Sequence, residues 1–240
     1  MAMYQCKLMK REEVASGTLA FHFERPPEFS FTPGQFADLT LVNPPETDAE
    51  GNMRTFSIAS PPYQDELVFV TRMRDTAFKR VLRTVPLGTE VGLDGPMGSF
   101  TLHSNLTKPG VFLTGGIGIT PFLSILRQVA REEHAYRLYL FYSNRRPEEA
   151  AFMDALREIA TVRPGIRFIP TMTNMEKSHW KWTGETGHIN QDMVRKYLSV
   201  LQGPIYYIAG PPGMVTAMRD MLTGADVDPD DIRSEEFGGY

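Results

Sequence analysis

The alternation of strand-like and helix-like segments after residue 110 constrains the fold more than any other feature of this sequence. Four apolar runs of buried-strand length, VFLTG, RLYLFYS, IRFIPTMT and PIYYIAG, are each followed by a segment of helical periodicity. Apolar positions recur on one helix face at 122, 125, 126 and 129, at 152, 156 and 159, and at 214, 218 and 221. Strands that alternate with helices predict a doubly wound parallel sheet.

The first 104 residues have a different pattern of predicted elements. Short β-like runs (TLAFHFE, FADLTLV, RTFSIAS, LVFVTRM and TEVGLDG) are separated by turn residues, without long helices between them. This spacing predicts a small antiparallel, Greek-key β-barrel. The stretch HSNLTKPG, residues 103–110, separates the β-like runs from the alternating strands and helices, so we expect domains at residues 1–105 and 106–240.

Composition and charge exclude several classes of protein. The chain has 240 residues, 25 basic and 29 acidic, and a formal charge of −4, which is not the basic footprint of a nucleic-acid binder. No apolar run reaches the roughly 18 residues of a membrane span, and the N-terminus has no signal-peptide core. We therefore expect a cytoplasmic protein without a membrane span.

Metal chemistry within the chain is not expected. A single cysteine, Cys6, excludes both an internal disulfide and a cysteine-ligated iron–sulfur cluster held by this chain alone. The five histidines are scattered and lack the helical spacing of a metal-binding pair. The sequence predicts no metal site.

The segment TGGIGITP, residues 114–121, follows the first strand of the predicted parallel sheet and opens a helix. Glycines let the backbone approach a diphosphate, and the free N–H groups of a helix N-terminus favour its negative charge. Pro121 suits the first helical turn. A tight strand–helix connection is the competing explanation. The residues predicted to face a dinucleotide here are Thr114, Gly115, Gly116, Gly118, Thr120 and Pro121.

The other strand ends also contain polar and turn residues. The second strand ends in FYSNRR, which puts Ser143, Arg145 and Arg146 where an adenosine ribose or its 2′-phosphate would lie. The two arginines could equally cap a solvated helix start. Thr173 ends the third strand and is predicted to face the nucleotide. The fourth strand ends in IAGPPGM, which adds Gly210, Pro211 and Met214.

The motifs, taken together and in order, resemble those of the ferredoxin–NADP reductase-like flavoproteins. The matching segments are TPGQF, RTFS, GPMGSF, GGIGITP, YSNR, WTGETGHI, AGPPGM and the terminal EEFGGY, and they span essentially the whole chain. The resemblance implies an FAD-binding antiparallel barrel followed by an NAD(P)-binding α/β domain. It also implies electron transfer from NADPH or NADH through FAD to an acceptor.

The resemblance assigns roles to the strand RTFS. Arg54 would pair with the FAD diphosphate, Thr55 and Phe56 would lie along the cofactor, and Ser57 would approach the reactive flavin N5. A guanidinium holds phosphate by paired hydrogen bonds, which agrees with this assignment. Phe56 replaces the tyrosine usual in the family. Backbone groups near Thr76, Ala77 and Lys79 would hold phosphate as well.

The C-terminus has two implied functions. Tyr240 would stack over the flavin ring, and Glu235 or Glu236 would relay a proton to N5. We take Ser57, Glu236 and Tyr240 as the candidate catalytic residues. Ala209 stands where many relatives have a cysteine before the Gly-Pro pair, so no thiol helps to position the nicotinamide.

A basic cluster is either a solvated face or a docking patch for an acidic electron carrier. It consists of Arg72, Arg74, Lys79, Arg80 and Arg83. Because the chain has no iron–sulfur domain of its own, the expected partner is a separate protein such as ferredoxin or flavodoxin. Ser143, Arg145 and Arg146, without an acidic residue at the strand end, favour NADPH slightly over NADH.

Two other functions stay open at this point. The chain could reduce free flavin or another small molecule and release the product, in which case FAD would dissociate easily. It could also be a flavin-binding regulatory subunit without catalytic activity. Bleaching of the flavin by a reduced nicotinamide nucleotide separates both enzymes from the regulatory subunit.

Overall fold

A computed structural model describes residues 3–238 of the chain. Its contacts divide the chain into two compact units. The first is Met1–Thr101 together with Thr120–Gln128, and the second is Leu102–Ile119 together with Val129–Tyr240. The division is therefore not a single cut: the middle of one helix belongs to the first unit. The predicted domain boundary at residue 105 stays a prediction.

The first unit is built on a six-stranded antiparallel sheet with the order β4-β3-β6-β1-β2-β5. The strands are β1 (Met3–Ala15), β2 (Thr18–Glu24), β3 (Phe36–Leu41), β4 (Met53–Ser57), β5 (Glu66–Arg72) and β6 (Glu90–Met97). Strand β1 was not predicted, although it pairs with both β2 and β6. Cys6 and Leu8 are buried between exposed neighbours, the alternation typical of a half-buried strand.

A phenylalanine-rich core fills the first unit. Phe21, Phe23 and Phe69 from neighbouring strands are fully buried, and the short helix α1 (Ala77–Thr84) adds Phe78 and Val81 to the same cluster. The helix packs against this core because its apolar positions, spaced three to four residues apart, form one buried face. Packing against this core fixes the position of the N-terminus of α1.

The second unit is a six-stranded parallel sheet with the order β10-β9-β8-β7-β11-β12. Its strands are β7 (Gly110–Gly115), β8 (Leu138–Asn144), β9 (Ile166–Met172), β10 (Glu185–Thr186), β11 (Ile205–Gly210) and β12 (Ile232–Glu236). The helices are α2 (Ile119–Arg131), α3 (Met153–Val162), α4 (Gln191–Arg195) and α5 (Pro212–Thr223). The predicted antiparallel domain and doubly wound parallel sheet are confirmed.

The sheet has two more strands than the four predicted runs. The two-residue strand β10 and the polar strand β12, with the sequence IRSEE, occupy the two edges, where no continuous apolar run is needed. Phe152, predicted within a helix, instead precedes α3 in a left-handed conformation with φ of 62°. The helix therefore begins one residue later than the periodicity indicates.

The strand order creates one switch point. From β7 the chain moves outward to β8, β9 and β10, and it then returns to β11 on the other side of β7. In open α/β sheets, ligands bind beyond the carboxyl ends of the strands where the order reverses. The two glycine-containing segments at residues 114–121 and 209–214 follow these two adjacent strands.

Among residues 3–238 no helix has the length and apolar character needed to cross a bilayer. The same part of the chain contains no cluster of three or more histidine, cysteine, aspartate or glutamate side chains arranged to hold a metal ion.

Candidate functional site

Strand β4 presents Arg54 and Phe56 on one face, because alternate residues of a strand point the same way. Both side chains meet the Phe78 ring of α1. The Arg54 guanidinium carbon lies 5.3 Å from the centre of that ring, and the Phe56 ring centre lies 5.9 Å from it. A cation and an aromatic surface are therefore held side by side next to α1.

Thr55 and Ser57 point to the opposite face of β4. The Thr55 hydroxyl donates to the carboxylate of Asp38 on the paired strand β3. The Thr55 side chain therefore lies on the face of β4 opposite Arg54 and Phe56, and its role beside the cofactor stays a prediction. Ser57, at the end of the strand, is 4% exposed.

The N-terminus of α1 is next to Arg54. Thr76 caps the helix, and its hydroxyl oxygen accepts a hydrogen bond from the Lys79 amide at 3.4 Å. The Ala77 amide donates to Asp48 Oδ2 at 3.0 Å. The Lys79 ammonium donates to the Arg72 carbonyl oxygen at 2.9 Å. The role of Thr76 in this structure is therefore to cap the helix.

The Lys79 pKa is lowered from its ordinary value. Burial is the larger cause, and the positive charges of Arg74 and Arg54 add to it. Two guanidinium groups and an ammonium group thus lie close together at the N-terminus of α1.

Arg54 is fully engaged within its own unit. Its Nη1 donates to the carbonyl oxygens of Glu50, Gly51 and Met53 at 3.0, 3.1 and 2.7 Å. Its Nη2 lies 3.1 Å from Asp48 Oδ1 and 2.8 Å from Glu50 Oε2. The sequence motif includes the arginine but not the loop that binds it.

These donors fit a diphosphate. The Asp48 carboxylate already accepts hydrogen bonds from the Ala77 amide and from Arg54, so anionic oxygens can reach both groups at once. Removal of water from this carboxylate opposes its ionisation, but the Ala77 amide and Arg54 outweigh that effect and lower the Asp48 pKa. Arg54, Ala77 and Lys79 are the groups of this unit that could hold a cofactor diphosphate.

At the switch point of the second unit, two glycines allow the turn from β7 into α2. Gly116 has a φ of 55°, in the left-handed region that other residues adopt at a cost. A Cβ on Gly118 would lie 2.3 Å from the carbonyl oxygen of Ala209, at the end of β11. The turn after β7 thus lies closer to the end of β11 than a side chain at position 118 permits.

The other predicted residues of this segment are mostly packed into the protein. Thr114 is completely buried and its hydroxyl donates to the Ala209 carbonyl oxygen at 2.8 Å, so its side chain joins β7 to β11. A Cβ on Gly115 would meet the Met214 sulfur at 2.6 Å. Thr120 and Pro121 are buried in the first turn of α2. Gly210 is buried, whereas Pro211 and Met214 are half-buried.

The two arginines at the end of β8 have different surroundings. Arg145 is exposed, whereas Arg146 is paired with Glu149, with 2.6 Å between Arg146 Nη2 and Glu149 Oε1, and it lies 3.7 Å from Glu148. Arg146 therefore has its charge balanced within the protein. Acidic residues do stand just beyond the strand end, which the sequence-based preference for NADPH did not take into account.

Polar groups from β8 and β9 surround this strand end. Ser143 and Thr173 are half-buried, and the Thr173 amide donates to the Asn144 carbonyl oxygen at 2.9 Å. Asn144 Nδ2 and Asn174 Oδ1 are buried and have no hydrogen-bond partner within residues 3–238. Such atoms are costly unless something satisfies them, so this corner fits a polar ligand. The sequence motif pointed to Ser143 and missed both asparagines.

Strand β12 carries the predicted acidic pair. Glu235 lies opposite Ala209 of β11, and burial raises the pKa of Glu235 to about 7. Glu236 is exposed. Of the two, Glu235 has the environment expected of a proton donor near neutral pH. Tyr240 lies outside the described residues.

Residues 112–220 match the protein family described as "Oxidoreductase NAD-binding domain". The chain is also 30% identical over 217 residues to the propane 2-monooxygenase reductase component of Mycolicibacterium smegmatis. That alignment covers 88% of this chain and 60% of the relative. The chain thus spans about 60% of the length of this relative.

Solved structures share the fold over nearly the whole chain. A cytochrome P450 reductase from Amycolatopsis has a TM-score of 0.82 at 21% identity, with 98% of this chain and 70% of that chain covered. A ferredoxin NADP+ reductase from Neisseria gonorrhoeae, solved with bound FAD and NADP, has a TM-score of 0.78 at 22% identity and 98% coverage of both chains. At these identities the likeness establishes the fold.

Proposed function

Because the chain has the fold of the ferredoxin–NADP reductase-like flavoproteins, as its motifs indicated, we propose that it is an FAD-dependent NAD(P)H oxidoreductase that delivers electrons to a separate acceptor. The observation that carries the proposal is the donor set of Arg54, Ala77 N–H and Lys79 beside the Phe56 ring, in a chain whose residues 112–220 match an NAD-binding domain. A bound flavin would supply the ability to take up an electron pair and to release it one or two electrons at a time.

The residues of the first unit would bind and orient the cofactor. Arg54 and the Ala77 amide would hold its diphosphate, and Phe56 offers an aromatic surface along it. The resemblance gives Ser57 a role at the flavin ring; it lies at the end of β4, and its side chain is buried on the face opposite Arg54 and Phe56. These roles rest on the family resemblance together with the positions of the side chains.

The residues of the second unit would bind the nicotinamide nucleotide. The left-handed turn at Gly116 and the close approach at Gly118 shape the connection from β7 into α2, and the positive end of that helix favours a diphosphate. Arg145 would lie at the adenosine ribose. Glu235 is a better candidate than Glu236 for holding a proton near the reacting atoms, because its raised pKa keeps it partly protonated at neutral pH.

Several relatives act as reductase components of oxygenases, which suggests the class of acceptor. We propose a separate redox protein, either a ferredoxin or flavodoxin or the terminal oxygenase component itself. The preference for NADPH or NADH is set at the end of β8. Since Arg146 is paired with Glu149, only Arg145 remains to meet a 2′-phosphate, and we expect both nucleotides to be used.

The proposal is tested by reconstituting the purified chain with excess FAD and titrating it anaerobically with NADH and, separately, NADPH. Loss of the oxidised-flavin absorbance with either nucleotide supports the proposal, and its recovery on adding ferredoxin or flavodoxin supports the acceptor. The Gly118→Ala variant serves as a control, because it should keep FAD but bleach more slowly. Protein that remains colourless after incubation with excess FAD contradicts the proposal.

Two observations favour a second function: Arg54 is already bound by carboxylates, and Phe56 lacks the hydroxyl usual at its position. A weakly held cofactor would suit a reductase that releases reduced flavin. Passage of the reconstituted protein through a desalting column distinguishes the two functions. Retention of FAD supports the electron-transfer enzyme, and its complete loss supports the flavin-releasing one.

A further inference from the structure

A loop of alternating acidic residues lies over the donors that would bind the cofactor diphosphate. This acidic loop, residues 46–50 with the sequence ETDAE, connects β3 to β4. Each of its three carboxylates is paired. Glu46 binds Arg80, Asp48 binds Arg54 and the Ala77 amide, and Glu50 binds Arg54.

The contacts of Asp48 are those expected of a bound phosphate group. One carboxylate oxygen lies 3.1 Å from Arg54 Nη2, and the other accepts from the Ala77 amide at 3.0 Å. The same two groups are the ones proposed above to hold the FAD diphosphate. A carboxylate and a diphosphate cannot occupy the same hydrogen-bond donors at the same time.

The anchors of the acidic loop are ion pairs and hydrogen bonds, not buried apolar side chains. All five residues are exposed, and none belongs to the buried core cluster of the first unit. Glu46 holds Arg80 through two contacts, of 3.0 and 2.6 Å, at a position where Arg80 also pairs with Asp75. Ion pairs of exposed side chains contribute little to stability, so the loop can leave without disturbing the core.

We propose that the acidic loop is a displaceable internal competitor for the diphosphate site, with Asp48 standing in for a phosphate group until the cofactor binds. This rests on the proposed FAD function and deepens it. The loop protects a cationic site in the free protein and must be displaced before Arg54 can turn to a diphosphate. It thereby lowers the apparent affinity for the cofactor by the fraction of time for which it is closed.

The test measures FAD affinity directly, by quenching of flavin fluorescence in the Asp48→Asn and Asp48→Ala variants. Removing a charged competitor for two hydrogen bonds should tighten FAD binding about tenfold, with the alanine variant at least as tight as the asparagine variant. The matched control is Asp75→Asn. Like Asp48→Asn, this variant removes one negative charge near the N-terminus of α1. Because Asp75 contacts Arg80 and not Arg54, the FAD affinity of the variant should stay within about twofold of the wild type.

A second readout follows the acidic loop itself. The amides of Glu50 and Gly51 donate to Asp48 Oδ1 and to the Asp48 carbonyl oxygen, at 3.1 and 2.9 Å, and we expect displacement of Asp48 to loosen both hydrogen bonds. Hydrogen exchange at residues 48–51 should therefore speed up when FAD binds, while the Ala77 amide stays protected.

The outcomes separate this inference from the proposed function. Equal FAD affinity in the wild type and both Asp48 variants, or weaker binding in the variants, overturns the competitor and leaves the flavin function standing. Weaker binding would mean that Asp48 positions Arg54 for the cofactor. Failure of the wild type and both Asp48 variants to bind FAD overturns both proposals.

Discussion

Arg54 is the residue on which the flavin proposal depends most directly. Its guanidinium has five polar contacts at 2.7–3.1 Å, all within the first unit. A residue that serves only to stabilise this loop would be replaceable, because exposed ion pairs contribute little to stability. A residue that binds a diphosphate would not be replaceable.

We expect Arg54→Gln to weaken FAD binding by about one to two powers of ten, since hydrogen bonds to charged groups contribute about 1.5–3 kcal/mol. Arg54→Lys should recover only part of the affinity, because an ammonium lacks the two-pronged geometry. The measurement is FAD affinity by fluorescence quenching. Arg157→Gln, at an exposed ion pair on α3, is the control and should bind FAD as the wild type does. Unchanged affinity in Arg54→Gln would remove Arg54 from the site.

Glu235 should make stability depend on pH in a defined direction. Its pKa is raised to about 7 in the folded protein. At a pH between the pKa of this carboxyl in the unfolded chain and about 7, the folded state therefore binds the proton more tightly than the unfolded state does. Stability is therefore greater at the acid end of this window and falls as the pH rises through about 7. Glu235→Gln should flatten this dependence, as measured by the melting temperature at pH 5 to 8. Glu236→Gln is the matched control, and an equal slope in all three proteins would contradict the assignment.

At the scale of elements, the approach of β7 and β11 at the switch point is the decisive contact. Gly118 permits it because its Cα has only hydrogens where a Cβ would overlap the Ala209 carbonyl oxygen. Thr114 adds a buried hydrogen bond between the same two strand ends. The nucleotide-binding edge is therefore shaped by strand packing before any ligand is present.

Gly118→Ala should destabilise the protein by about 1–3 kcal/mol, the usual cost of overpacking, and weaken nicotinamide nucleotide binding. Gly213→Ala is the matched control. A Cβ on Gly213, in the first turn of α5, meets nothing within 4 Å, and alanine is the better helix former there. Urea unfolding and nucleotide titration check both variants. A Gly118→Ala protein as stable as Gly213→Ala would show that the strand ends adjust easily.

At the scale of the whole molecule, charge distribution governs the encounter with an acceptor. The chain is net acidic, and the predicted basic patch is partly neutralised: Arg80 is paired with Glu46 and Asp75. Arg74 is exposed, and so is Arg83 at the end of α1. A docking surface for an acidic carrier would therefore depend on Arg74 and Arg83 more than on Arg80.

Arg83→Glu should slow the reduction of an acidic carrier protein at low salt and should weaken the salt dependence of that rate, because steering charges act mainly on association. Reduction of a small uncharged acceptor should be unaffected. Arg157→Glu, in the second unit, is the control for net charge. If Arg83→Glu leaves the carrier-dependent rate and its salt dependence unchanged, the cluster is only a solvated face.

Much of this organisation could be predicted from the sequence, because it depends on local periodicity. Runs such as VFLTG and PIYYIAG are long enough and apolar enough to be buried strands wherever they fold, and the helical faces that follow them leave only a parallel sheet. The edge strands β10 and β12 escaped prediction because an edge strand needs no continuous apolar run. Strand β1 has the alternating pattern but was considered only as a possible signal peptide.

The sequence by itself determined the two-part architecture, the glycine turns at the switch point and the presence of an arginine on β4. Only the tertiary structure decided that Arg54 meets Asp48, that Asp48 reaches the Ala77 amide 29 positions further along the chain, and that Glu235 is half-buried whereas Glu236 is exposed. The physical reason is range. Periodicity and turn preferences act between neighbours in the chain, whereas hydrogen-bond partners and solvent exclusion depend on residues that only folding brings together.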